Sequence, residues 1–391
     1  MYVDRPELEE HLSDALRGDK YVIVHGESGN GKTWLYKRVL EREGVYFEVV
    51  NLSNANLYGG LIPAFANRLG ELGHQYDTQQ SEELLLSGMV SGLGGSKKTQ
   101  MQSAFAPKGA FVSLLQVIRS LAGRKRAILV LDNFEQVADD VNILKSIASI
   151  IISADEEAVA EQNVKILLVG VPHDLKQLVA KVSNASTIAN RLIEIPEVAR
   201  MTEEEAISLM RKGFEEELEF TFSIDRAILY KDICWKTDRI AQQLHELCLK
   251  IAIEAERNGN CVSAKSIKKA ESKWRKESLA NDLEVIDALV NSRETKVGRK
   301  NQTLYALAIC EKEDFKVAEI ENILRTEFDV DNDVKLNLFQ MLANFANARN
   351  PLLRRTPRGD AYRFISPKVR MALRAGLVVE GNKVVKVSRD I

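Results

Sequence analysis

The 391-residue sequence is 45% hydrophobic with a formal net charge of −2: enough apolar material for two or three buried cores, and too little charge bias to indicate a partner by itself. No run of eighteen uninterrupted apolar residues occurs, so no membrane-spanning helix is expected, and Met1-Tyr2-Val3-Asp4-Arg5 lacks the apolar stretch of a secretion signal. Cys234, Cys248, Cys261 and Cys310 lack metal-site spacing, the five histidines form no H-x-x-x-H pair, and a reducing, cytoplasmic setting is expected.

Residues 1–196 alternate apolar runs with helical periodicity, which predicts an α/β core built on a parallel sheet. Strands are expected at 21–25, 45–50, 127–132, 164–170 and 192–195, with helices at 6–17, 32–43, 58–72, 109–122, 138–153 and 174–181. After the first strand comes Gly26-Glu27-Ser28-Gly29-Asn30-Gly31-Lys32-Thr33, followed by a helical run. G-x-x-x-x-G-K-[ST] in that context predicts a phosphate-binding loop working with Mg²⁺. Its glycines let backbone N–H groups turn onto the α- and β-phosphates. Lys32 is expected on the β- and γ-phosphates and Thr33 on Mg²⁺, with the helix N-terminus adding positive potential.

The run Ala127-Ile128-Leu129-Val130-Leu131-Asp132 reads as a strand buried on both faces, ending in an acid placed to hold Mg²⁺ directly or through water. Hydrolysis also needs a group that polarises water; Asn133 follows the acid directly, and Glu135 is the nearest carboxylate. Residues 87–109, with five glycines and the pair Lys97-Lys98, read as a long loop: a surface insertion, or a contact to nucleic acid or a protein partner.

From Met201 the pattern is helical. Thr202 and Glu205 predict a capping box, and helices are expected at 224–233, 238–257 and 263–279, giving a helical lid domain over 197–281. Residues 282–391 read as three short helices at 303–310, 317–325 and 334–348, then strand, turn and strand through 352–365, and a helix at 367–375. That order is a winged-helix pattern. Residues 351–391 hold ten Lys or Arg against three Asp or Glu, a footprint of nucleic-acid contact or of an acidic protein surface. Arg354, Arg355, Arg358 and Arg363 lie on or beside the expected hairpin.

Val3-Asp4-Arg5-Pro6-Glu7-Leu8, the GESGNGKT loop and LVLDNFEQV together resemble the AAA+ and STAND branch of P-loop ATPases, on the side of replication-initiator-like and transposition ATPases. The resemblance covers residues 1–260 in order, with the winged-helix pattern extending it, and LVGVPHDL and NRLIEI match more loosely. It implies that Asp4 and Arg5 lie near the adenine and that His173 acts as a sensor of the γ-phosphate. It also implies that Arg191 is an arginine finger reaching a neighbouring subunit, and Arg239 a sensor from the helical domain. Many relatives place Glu where this chain has Asn133, which points to slow hydrolysis, and the usual glycine-containing turn is missing near Arg239. The implied function is an oligomeric ATP-dependent switch acting on DNA. A signalling or antiviral-defence ATPase bound to an effector protein, and a non-hydrolysing ATP-dependent scaffold, are the alternatives.

Overall fold

The computed structural model describes residues 3–55, 57–74, 95–171, 185–290, 298–356, 358–381 and 383–386. Residues 2–199 form one compact unit and residues 200–391 the other.

The first unit is built on a five-stranded sheet of order β2-β3-β4-β1-β5. The strands are β1 (Tyr21–His25), β2 (Tyr46–Asn51), β3 (Ala127–Asp132), β4 (Val164–Val171) and β5 (Leu192–Glu194), and every pairing is parallel. These match the expected strands to within a residue. The two-residue period of each strand divides its side chains between two cores. Val22, Val24, Ile128 and Val130 pack with Leu12 and Leu16 of helix α1 (Pro6–Arg17) and with Leu35, Val39 and Leu40 of α2 (Lys32–Arg42). Ile23, Leu129 and Leu131 face the opposite side, packing with α3 (Leu61–Glu71), α4 (Gly95–Ala122) and α5 (Val141–Ile152). A short helix, α6 (Ala185–Arg191), leads into β5.

β1 lies between β4 and β5, so the chain leaves it toward one side of the sheet and later returns on the other. The carboxyl end of β1 is therefore the topological switch point, where open α/β sheets leave a crevice for ligands.

One expectation fails here. The loop predicted over 87–109 is helical from Gly95 onward, as the first turns of α4. Three of its five glycines, Gly88, Gly92 and Gly94, precede the helix, and residues 96–108 contain none. The helix passes through Pro107, forgoing the one hydrogen bond that a ring nitrogen cannot donate. The side chains of Lys97 and Lys98, and all of residues 172–184 including His173, lie outside the described part.

The second unit opens with α7 (Glu203–Arg211), capped by the predicted Thr202–Glu205 box. It continues through α8 (Arg226–Thr237), α9 (Ala241–Glu256), α10 (Ala264–Ser278) and α11 (Ala280–Leu289). A short parallel pair, β6 (Thr221–Phe222) and β7 (Cys261–Val262), lies among them, with Cys261 in the gap left between the helices expected at 238–257 and 263–279. Helices α12 (Arg299–Ile309), α13 (Val317–Glu327) and α14 (Leu338–Asn347) precede the antiparallel pair β8 (Leu353–Arg355) and β9 (Tyr362–Phe364). An isolated bridge between Phe315 and Tyr362 adds a third segment beside that pair. The chain then forms α15 (Pro367–Gly376) and a second hairpin, β10 (Leu377–Glu380) with β11 (Lys383–Lys386). That hairpin was not anticipated, although Val378-Val379 and Val384-Val385 flanking Gly381-Asn382 are a hairpin signal.

Candidate phosphate-binding site

The loop after β1 is fastened to the segment after β5. Val198 N donates to His25 O at 2.9 Å, and Asn30 Nδ2 donates to Val198 O at 3.1 Å. Gly26 sits where the two segments touch; with φ of +141°, a Cβ there would come within 2.4 Å of Val198 O. Arg5 completes the fastening from the start of α1. It is 7% exposed and donates to Ala199 O at 3.0 Å and Asn30 O at 3.5 Å. In this structure Arg5 therefore braces the loop, while Asp4 is exposed and lies 3.6 Å from Arg38.

Ser28 and Gly29 make the turn of the loop, and Gly31 is the N-cap of α2. Lys32 follows, 8% exposed, its Nζ donating to Gly26 O at 3.0 Å and Glu27 O at 3.1 Å. The cation thus rests on carbonyls of its own loop, the place a phosphate would take it from. Thr33 Oγ1 donates to Asp132 Oδ2 at 3.2 Å, which brings the two expected magnesium-side residues together across the ends of β1 and β3. Asp132 is 6% exposed, and Asn133 N donates to its Oδ1 at 2.8 Å.

A residue that the sequence pattern did not single out completes this group. Tyr36, fully buried, donates from its hydroxyl to Asp132 Oδ2 at 3.0 Å. Burial, followed by the charge of and hydrogen bond to Asp132, pushes the phenol far above its ordinary range. The signal was in the spacing: three residues after Thr33 places Tyr36 on the same helical face.

Asn133 adopts the left-handed conformation, φ 62°, and its Nδ2 donates to Asn51 Oδ1 at 2.9 Å. Its side chain is therefore turned toward β2. The next turn, Phe134–Gln136, is anchored by buried Phe134 and brings Glu135 back against the end of β4. A Cβ on Gly170 would lie 1.8 Å from Glu135 Oε2, so the carboxylate occupies the space that Gly170 leaves open. Because β4 separates β3 from β1, Glu135 has moved one strand toward the phosphate loop, about 4.8 Å at ordinary strand spacing. Glu135 Oε2 is buried and has no hydrogen-bond partner among the described residues. A buried acceptor in that state is destabilising until a donor or cation meets it.

Arg191 is found in an ion pair with Asp155, Nε to Oδ2 at 3.1 Å. It immediately precedes Leu192, whose register partner Tyr21 starts β1, whereas the phosphate loop follows the other end of that strand. Roughly 13 Å of strand, at about 3.3 Å per residue, separates the two ends. Arg191 is accordingly remote from the loop of its own chain.

The remaining expected residues lie in the second unit. Arg239 follows Asp238 in a turn where both adopt positive φ, 57° and 50°, so the conformation that a glycine would supply is present without one. Arg239 Nε is buried with no hydrogen-bond partner among the described residues, and the guanidinium is 4.0 Å from Glu311. On the hairpin, Arg354 stands opposite Arg363. Arg363 Nε donates to Asp314 at 2.7 Å, relieving the like-charge pairing. Arg355 lies over Tyr362 and Phe339, 5.5 and 5.9 Å from the ring centroids, and Arg358 is exposed at the turn. The basic excess of residues 351–391 overstates the surface charge, because Arg370 and Arg374 are buried, 2% and 9% exposed.

Residues 15–179 match the family model of an AAA domain. The first unit has an AAA-type P-loop fold. Two solved structures share the fold at 15% identity: the Walker-type ATPase PABY2304 of Pyrococcus abyssi and the ORC2 protein of Aeropyrum pernix in its ADP form. The first has a TM-score of 0.52 over 95% of this chain and 96% of that one. The second has a TM-score of 0.51 over 94% and 90%. No curated protein matches the sequence. Among the described residues, no helix is long and apolar enough to cross a membrane.

Proposed function

We propose that the chain binds ATP with Mg²⁺ and hydrolyses it slowly, as an oligomeric switch whose output is contact with duplex DNA through a winged-helix unit. The observation that carries the hydrolytic part is Glu135, a buried carboxylate oxygen without a partner among the described residues, seated over Gly170 at the strand next to the phosphate loop. Such a group is suited to accept a proton from an attacking water. Lys32 and the loop N–H groups would hold the phosphates, and Thr33 and Asp132 would hold Mg²⁺, which supplies charge neutralisation at the phosphates. Arg191 would serve a neighbouring subunit after leaving Asp155, since it lies at the far end of β1 from its own loop. Arg239 is the proposed sensor from the second unit, and His173, two residues after Val171 in the sequence, is the other proposed sensor.

The DNA part rests on residues 334–359, which contain five Lys or Arg and no Asp or Glu. On α14, Gln340, Asn344 and Asn347 are exposed at helical spacing, and amide side chains of this kind can read adenine edges in a major groove. A protein partner, as in STAND-type signalling or defence ATPases, is the second reading. It is favoured because Arg363, Arg370 and Arg374 are engaged inside the unit, leaving a smaller basic surface than composition implies. A non-hydrolysing scaffold is the reading that survives if Glu135 has no role in turnover.

A mixed-subunit assay tests the shared hydrolytic site. Lys32→Ala should abolish ATP binding, and Arg191→Ala should bind ATP but hydrolyse it slowly. A co-assembled mixture should regain hydrolysis, because the intact finger of one subunit meets the intact loop of the other. No recovery in such a mixture rejects the switch built on a shared site.

A further inference from the structure

We infer that Tyr36 is a positioning residue for the magnesium-side carboxylate, holding Asp132 through a hydrogen bond from inside the core; this rests on the ATP–Mg²⁺ reading of the loop. Three donors converge on Asp132. Thr33 Oγ1 and Tyr36 Oη both reach Oδ2, at 3.2 and 3.0 Å, and the backbone N–H of Asn133 reaches Oδ1 at 2.8 Å. Together they fix the plane of the carboxylate. They differ in what happens when a cation arrives. Thr33 is itself an expected ligand, and its hydroxyl must reorient toward the ion. Asn133 N–H holds only the neighbouring oxygen. Tyr36 is fully buried on α2 and is not itself an expected ligand, so a cation's arrival does not require its bond to Asp132 to break.

Its placement is set by the helix. Lys32, Thr33 and Tyr36 occupy the first two turns of α2, so one rigid element carries the phosphate cation, the metal-side hydroxyl and the donor that holds the metal-side acid. The ring is fixed as well, meeting Phe47 edge-on with centroids 6.5 Å apart. An outer-shell donor of this type orients a metal-ligating group, and its loss typically lowers metal affinity about 10–100-fold.

The test uses Tyr36→Phe in the full chain, which removes the hydroxyl and keeps the ring. ATP binding is titrated calorimetrically at a series of Mg²⁺ concentrations and again in EDTA. The expected result is a Mg²⁺ midpoint raised about tenfold or more, with ATP affinity in EDTA unchanged. In an Asp132→Asn background, Tyr36→Phe should add nothing further, since it acts through that carboxylate. An unchanged Mg²⁺ midpoint, or an equal loss of ATP affinity with and without Mg²⁺, overturns the inference and leaves Tyr36 a packing residue. If Tyr36→Phe does not fold, difluorotyrosine at position 36 keeps the volume and alters only the donor. A shifted Mg²⁺ midpoint with constant EDTA affinity then sustains the inference, and a constant midpoint overturns it. Wild-type protein whose ATP binding ignores Mg²⁺ rejects the metal reading itself, and the inference with it.

Discussion

Asp238 and Arg374 are joined by a 2.9 Å bond from Nη1 to Oδ1, and the same guanidinium lies 3.9 Å over the ring of Trp235. Two further arginines meet that carboxylate: Arg370 at Oδ2, 2.8 Å, and Arg200 at Oδ1, 2.5 Å. The arginines also reach outward, Arg374 to Ala308 O at 2.8 Å and Arg370 to Lys312 O at 2.8 Å. One buried acid thus ties the end of α8, the end of α12 and helix α15 together within the second unit. Burial, with the charges of Arg370 and Arg200, pulls the Arg374 guanidinium down to about 10 despite its bond to Asp238.

Replacing Asp238 with Ala removes the buried anion shared by three crowded cations and leaves Glu313, 3.6 Å from Arg200 and 3.9 Å from Arg370. Breaking a buried pair in this way costs about 3–5 kcal/mol. Denaturant unfolding of the full chain should show a loss of that order for Asp238→Ala, assigned to the second unit by hydrogen exchange. A loss below about 1 kcal/mol would show that the arginines find other partners.

Gly170 is the second target. Gly170→Ala would drive a methyl group into Glu135 Oε2 and also strain a backbone with φ of +84°. Turnover should fall about 10²–10⁴-fold, as expected for loss of a general base, with ATP binding retained. Glu135→Gln should give the same kinetic result without the backbone strain. Hydrolysis that survives in both variants removes Glu135 from the mechanism.

Duplex binding provides the third. Arg354, Arg355 and Arg358 are the exposed basic residues of the first hairpin, whereas Arg363, Arg370 and Arg374 are held inside the unit. A triple Ala variant of the exposed set should bind duplex DNA more weakly, with the log–log salt slope shallower by roughly 0.9 for each phosphate no longer neutralised. ATP binding should stay intact. Wild-type protein that ignores DNA at low salt, with or without ATP, would redirect the same surface to a protein partner.

The last concerns acid. Glu43 accepts from Ser13 at 2.7 Å, from Arg126 at 2.6 Å and from Arg17 at 3.0 Å, linking α1, the end of α2 and the approach to β3. The Ser13 bond first, then the two arginines, outweigh burial and lower its carboxyl from 4.5 to about 2. A depressed carboxylate stabilises the fold fully above its unfolded value, and that contribution is lost as pH falls through the folded one. Melting temperature should therefore drop between pH 4.5 and 2, and Glu43→Gln should flatten that part of the profile. An identical acid limb in the variant would show that other carboxylates set it.

The phosphate loop, Asp132 and the five parallel strands were legible in the sequence because each depends on short-range order. A strand buried on both faces must read as an apolar run, and a phosphate cradle needs its glycines and lysine at fixed spacing. The start of α4 reads as a loop in the sequence because of its glycine count, yet Gly88, Gly92 and Gly94 precede the helix and residues 96–108 contain no glycine. What the sequence could not decide were pairings across the fold. Whether Glu135 faces β2 or β4 depends on the left-handed turn at Asn133 and on the open space at Gly170, 35 residues further along. Whether an arginine is surface charge or buried brace depends on which carboxylate lies near it; Arg358 and Arg374 look alike in the sequence, and only the second meets Asp238. Composition counts charges, and tertiary packing decides which of them water still reaches.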